Sequence, residues 1–137
     1  MKRMIFTVLA VLGALTAFSA PASAAASPTL ACQVIGNTTG STGGVSTGQC
    51  STFRADSSYV LDFGVRNGFP SYSWTTPPGV SIVAGCNSGT AFCDLVVRSS
   101  SVERSYTVSV LAFDADGVLR FTSATATTPE VCGKFLC

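Results

Sequence analysis

From Ser105 to Phe113 the chain reads SYTVSVLAF, and no other stretch limits its fold so strongly. Tyr106, Val108, Val110 and Ala112 fall on one side of an extended backbone, and Thr107, Ser109, Leu111 and Phe113 fall on the other. That period of two marks a half-buried strand. Asp114-Ala115-Asp116-Gly117 supplies turn residues, and Val118 to Thr127 (VLRFTSATAT) continues as a β-branched-rich strand. The two runs read as a hairpin.

The same grammar recurs upstream. In Tyr59–Arg66 the residues Tyr59, Leu61, Phe63 and Val65 share one face, and Asp62, Gly64 and Arg66 share the other. Asn67-Gly68 and Phe69-Pro70 punctuate the chain before Tyr72-Ser73-Trp74 sets two aromatics on one strand face, and Pro77-Pro78-Gly79 closes that segment with a turn. Val80–Val83 and Cys93–Arg98 are further short strands, while Asn37–Gly48 (NTTGSTGGVSTG) reads as a loop. No helix period appears between these runs. About six or seven short strands with turns between them predict an all-β fold, a small antiparallel immunoglobulin-like sandwich.

The compartment follows from the first residues. Lys2 and Arg3 precede an apolar run from Met4 to Phe18, and Ala22-Ser23-Ala24 offers the small-x-small pattern of a signal peptidase site. Residues 1–24 therefore read as a secretory signal peptide, and the apolar run is shorter than the roughly 20 residues a bilayer span needs. Residues 25–137 remain, near the commonest size of a single domain. Cys32, Cys50, Cys86, Cys93, Cys132 and Cys137 all lie in that part. In an oxidising compartment an even set reads as structural disulfides, and the C-x-x-C spacing of a thiolate zinc site is missing. Proximity favours Cys86–Cys93 around a polar, Gly-containing turn, Cys132–Cys137 around the tail, and Cys32–Cys50 around the Gly- and Thr-rich segment. A competing scheme ties Cys32 or Cys50 to Cys132 or Cys137.

The Tyr-x-Trp strand at Tyr72–Trp74, followed by YTVSVLAFDADG from Tyr106, resembles bacterial immunoglobulin-like and PKD-like extracellular domains. The likeness runs from Ser57 to Thr128. It implies a core position for Trp74, a central position in one sheet for the strand that begins near Tyr106, and an Asp-Gly turn joining the last two strands. The chain departs from these families in two ways. Neither Tyr59–Arg66 nor Tyr106–Phe113 carries the cysteine of an antibody inter-sheet bridge, and the Trp-Asp-Phe-Gly-Asp-Gly motif of PKD domains is missing after Tyr72.

Catalysis lacks its usual parts. The chain has no histidine, which removes the common Ser-His and Cys-His pairs and the commonest general base near neutral pH. Paired carboxylates remain conceivable, as in glycosidases, among Asp56, Asp62, Asp94, Glu103, Asp114, Asp116 and Glu130. Most of these read as solvated groups at strand ends or turns. Asp114–Gly117 is explained as a turn without calcium, because Val118-Leu119-Arg120 follows where an EF-hand would continue with ligands. The basic residues Arg54, Arg66, Arg98, Arg104, Arg120 and Lys134 are scattered, so nothing gives the clustered charge that nucleic acid demands.

A secreted, non-catalytic binding or adhesion-type module is the expected function, with no cofactor and no metal. Its partner would be a protein or glycan at the cell surface or in the medium, with no nucleic acid and no membrane after signal cleavage. Recognition is expected in loops at the sandwich end, through Phe69 and Pro70 and through Ser88, Gly89 and Thr90 of the bridged turn. Tyr72 and Trp74 are assigned to the core, and Asn37-Thr38-Thr39 matches a glycosylation sequon. A protease inhibitor using the Cys86–Cys93 loop and a structural envelope component are the alternatives.

Overall fold

Strand alternation puts every second side chain of the Tyr59 run into the centre of the molecule. In a computed structural model, which describes residues 26–137, Tyr59, Leu61 and Phe63 are fully buried while Val60, Asp62 and Gly64 face outward. The signal peptide assigned to residues 1–24 lies outside the described residues.

The strands are β1 (Leu30–Gly36), β2 (Ser46–Thr47), β3 (Gln49–Ser51), β4 (Ser58–Val65), β5 (Ser71–Thr75), β6 (Ser81–Gly85), β7 (Phe92–Arg98), β8 (Arg104–Phe113), β9 (Leu119–Thr128), β10 (Val131–Cys132) and β11 (Phe135–Leu136). They form a five-stranded sheet in the order β2-β1-β4-β7-β6, a four-stranded sheet in the order β3-β9-β8-β5, and a small β10-β11 hairpin. The fold is thus an all-β open sandwich. Its core draws Leu30, Val34, Leu61, Phe63 and Leu95 from the larger sheet and Tyr72, Val108, Val110, Ala124 and Ala126 from the smaller. Burying such apolar surface is the main force holding the sheets face to face.

The structure extends the sequence reading at its N-terminal end. Strands β1 to β3 lie in or beside the segment read as a loop, so nine strands make up the two sheets where about six or seven were expected. β1 pairs with β4 along its full length, from Leu30 opposite Val65 to Gly36 opposite Tyr59. The chain then doubles back, and Gly48, with φ of +80°, lets it cross to the other sheet. There β3 pairs with β9 in parallel, the one parallel pairing between strands among the described residues, with Cys50 opposite Ala126.

The three disulfides are Cys32–Cys50, Cys86–Cys93 and Cys132–Cys137. Cys32 lies on β1 of one sheet and Cys50 on β3 of the other, both buried. The inter-sheet staple missing from β4 and β8 is therefore supplied at the sandwich edge. It fixes β3 covalently while the β9 ladder fixes it by hydrogen bonds.

Candidate functional site

Because β5 pairs with β8, the loop preceding β5 is carried to the end of the sandwich where the β8–β9 hairpin turns, with Ser71 opposite Phe113. The Cys86–Cys93 loop reaches the same end, and its Ser88 and Thr90 carbonyls accept hydrogen bonds from the Tyr72 N–H (3.0 Å) and the Trp74 indole N–H (3.0 Å). The two expected contact loops are thus neighbours. Within the first, Pro70 is exposed, while Phe69 is half-buried and meets the Tyr72 ring edge-on, with centroids 6.5 Å apart. Ser88 and Gly89 face solvent and Thr90 is half-buried. Tyr72 is buried as expected, and Trp74 packs half-buried against the core.

The bridged loop is a compact turn and not a protruding strand. Asn87 caps it by accepting the Gly89 N–H at 3.0 Å, and the Cys86 N–H donates to the Phe92 carbonyl at 2.9 Å. Gly85 and Cys86 both take left-handed backbone angles, φ of +68° and +57°. A side chain at Gly85 would strike the Phe92 carbonyl, so only glycine fits there. At Cys86 the same region carries a conformational cost of about 1 kcal/mol or more. The bond to buried Cys93 holds it there.

Sequence reasoning singled out the loops and passed over the sheet beside them. On the outer face of the four-stranded sheet, Leu111 pairs with Phe121 and Phe113 with Leu119. Leu119 is 55% exposed and Phe121 65%, and Val118 at the hairpin tip is also open. The register sets these residues on one face, at the end of the sheet that also carries the Pro70 loop. The signal was present: Leu111 and Phe113 are out of phase with Val108, Val110 and Ala112, so a strand that buries the second set must expose the first.

Along the rest of that face the outward residues are hydroxyls and one amide. Ser105 and Thr127 hydroxyls lie 3.1 Å apart, and those of Thr107 and Thr125 lie 2.9 Å apart. Gln49 and Ser51 continue the rows on β3, and Ser109 with Ser123 separates them from the apolar patch. No ionisable side chain stands among these positions.

Comparison with protein-family models, with curated proteins and with solved structures returned no match to this chain. Its chemistry therefore rests on its own residues. Four of the seven carboxylates stand in specific settings, of three kinds. Asp56, expected as a solvated turn residue, is buried and serves as a structural hub. Its oxygens accept hydrogen bonds from the Thr38 N–H (3.1 Å) and hydroxyl (2.6 Å), the Thr39 N–H (2.9 Å) and hydroxyl (2.8 Å), and the Ser57 N–H (2.6 Å). Burial pushes its pKa up, but these donors outweigh burial and hold the carboxyl well below the usual carboxylate range. Thr39, the sequon threonine, has its hydroxyl engaged in this hub.

Asp114 organises the hairpin turn. It accepts the Asp116 N–H (3.0 Å) and the Val118 N–H (2.8 Å), and its other oxygen lies 3.5 Å from Arg120 Nε. Gly117 takes φ of +76°, so the turn accounts for all four residues. Among the described residues no group of three or more His, Cys, Asp or Glu side chains is placed to hold a metal.

Asp62 and Asp94 form the third kind, which sequence spacing did not foresee. They are direct partners across β4 and β7 on the outer face of the larger sheet, with Gln33 opposite Asp62 on β1. Partial burial, and then the Asp62 charge, push the Asp94 carboxyl up. A hollow of about 280 Å³ beside the pair is lined by Gln33, Asp62 and Arg66 but not by Asp94.

Proposed function

We propose that this chain is a secreted, non-catalytic binding module with an immunoglobulin-like sandwich as its scaffold. Three disulfides in a small domain suit an extracellular setting. The contact surface is the sandwich end where Pro70, Ser88 and Gly89 meet the apolar patch of Leu111, Leu119 and Phe121. One observation carries the reading: large apolar side chains paired across the β8–β9 hairpin stand exposed on outward strand rows that carry no charged residue. Contiguous exposed apolar surface of this kind marks interaction sites in soluble proteins. The Cys86–Cys93 turn, whose Ser88 and Thr90 carbonyls are pinned to Tyr72 and Trp74, braces that surface.

Capture tests the proposal. Immobilised oxidised protein is exposed to envelope and culture-supernatant fractions of its host, beside a Leu119→Ser/Phe121→Ser variant. A partner retained by the wild type and lost from the variant is the expected result. Equal retention by both, or retention by neither, overturns the proposed surface.

A further inference from the structure

At the opposite end of the same sheet face, the arm from Gly44 to Thr52 stands beside β9 and closes a groove of about 680 Å³, within the range of small-ligand sites. Its lining includes Ser46, Gln49, Ser51, Ser105, Thr125 and Thr127. Phe53, 85% exposed, and the carboxylate of Glu103 complete it. We infer that this groove binds a neutral polysaccharide chain. The inference rests on the binding-module reading and adds a second site with its own ligand class.

Chemical complementarity selects that class. No lysine or arginine lines the groove, so phosphate, uronic acid and nucleic acid find no counter-charge. A single carboxylate is too little for a hard cation, which takes several oxygens. What remains is a set of groups most of which can both donate and accept. Each hydroxyl offers one donor and two acceptor positions, so the Ser105–Thr127 pair keeps capacity toward the groove after bonding to each other. Gln49 adds an amide, Glu103 can accept from a vicinal diol, and the Phe53 ring gives the apolar face of a pyranose a surface to lie on. A sugar presents these same elements in return: paired hydroxyls around an apolar ring face.

The groove is also built to hold its shape. Cys32–Cys50 fastens the floor to the other sheet, and Gln49, Cys50 and Ser51 are each in register with β9. Gly43 lies so close to the Ser51 carbonyl that any side chain there would collide with it, so the chain entering the arm is seated directly on β3. Rigid walls lower the ordering cost of binding.

Affinity electrophoresis of the oxidised mature chain tests this, in gels containing a β-glucan, hydroxyethylcellulose, a galactomannan or, as the anionic control, polygalacturonate. Retardation by at least one neutral polymer and not by polygalacturonate is expected. Phe53→Ala and Glu103→Gln, both at exposed positions that the fold does not need, should each weaken it about tenfold. Leu119→Ser/Phe121→Ser should leave it within about threefold, because Phe121 lies about 20 Å along β9 from Thr127. No retardation in any neutral gel overturns the inference while leaving the capture result intact. Retardation that survives Phe53→Ala and Glu103→Gln but fails with the Phe121 variant moves the sugar to the apolar patch and overturns the groove. A concentration-dependent dimer in sedimentation that Phe53→Ala abolishes makes the groove an interface between copies, and the inference falls.

Discussion

The two outer faces of the sandwich are built by the same alternation yet carry opposite chemistry. On the five-stranded sheet the outward row across β1, β4 and β7 is Gln33, Asp62 and Asp94, so two carboxylates stand side by side with no cation opposite. On the four-stranded sheet the outward rows are Ser105 with Thr127, Thr107 with Thr125, and Leu111 with Phe121. Like charges directly across a ladder are unfavourable, whereas paired hydroxyls and paired apolar groups each stabilise it modestly. One face sets two like charges side by side; the outward strand rows of the other carry no charged residue, so a partner can lie on them without stripping water from an ion.

The sharpest way to break this contrast is to release the edge strand that completes the uncharged face. Cys32→Ala/Cys50→Ala should lower stability by about 2 to 4 kcal/mol in denaturant melts. It should also free β3 from β9, read as faster amide exchange at Cys50→Ala and Ser51 than at Val110. Equal protection of β3 and β8 would show that the ladder alone holds the strand.

Asp56→Ala comes next, because it leaves the Thr38 and Thr39 N–H groups without their acceptor. A loss of about 2 to 3 kcal/mol in chemical denaturation is expected. The sign of its pH dependence follows from a folded-state pKa below the unfolded one. The Asp56 contribution is complete above the ordinary carboxylate range of about 4 and declines as acid takes the pH down toward the lower folded value. A variant whose destabilisation is the same at pH 7 and at pH 2.5 would refute the hub.

Surface substitution on the uncharged face should separate binding from stability. Leu119→Ser/Phe121→Ser is expected to lower stability by no more than about 1 kcal/mol, since these side chains are more than half exposed and give up only two cross-strand pairs. A large loss of stability would show that the patch belongs to the core.

The smallest effect lies on the charged face. Asp94 titrates above its unfolded value, so its charged form costs stability at neutral pH, and that cost is relieved as the pH falls through the raised value. Asp94→Asn should therefore stabilise the protein at pH 7 by about half a kcal/mol, a modest figure because water screens the pair. The gain should shrink on acidification. Destabilisation at pH 7 would mean that the pair shares a proton in a useful bond.

Most of the strand pattern was legible in the sequence. A period of two in Tyr59–Arg66 and Ser105–Phe113 is a local property, and it separates the two faces of each strand without reference to any partner strand. The hairpin at Asp114–Gly117 was legible for the same reason, whereas proximity only favoured the three bridges that form and left a scheme joining the two ends of the domain open. The candidate site was legible only in part. Pro70, Ser88 and Gly89 stand exposed, but Phe69 leans on Tyr72, and the larger apolar surface at Leu119 and Phe121 was concealed in a strand whose two faces the sequence reading did not separate.

Tertiary structure alone decided the rest. The parallel seat of β3 on β9 joins residues far apart in the chain, and no turn sets their register. The same holds for the meeting of Asp62 with Asp94 and for the donors gathered around Asp56. Alternation along one strand records which face is buried, because burial acts residue by residue. Which strand lies alongside is a sum over the whole core and its ladders, and no local stretch of sequence contains that sum.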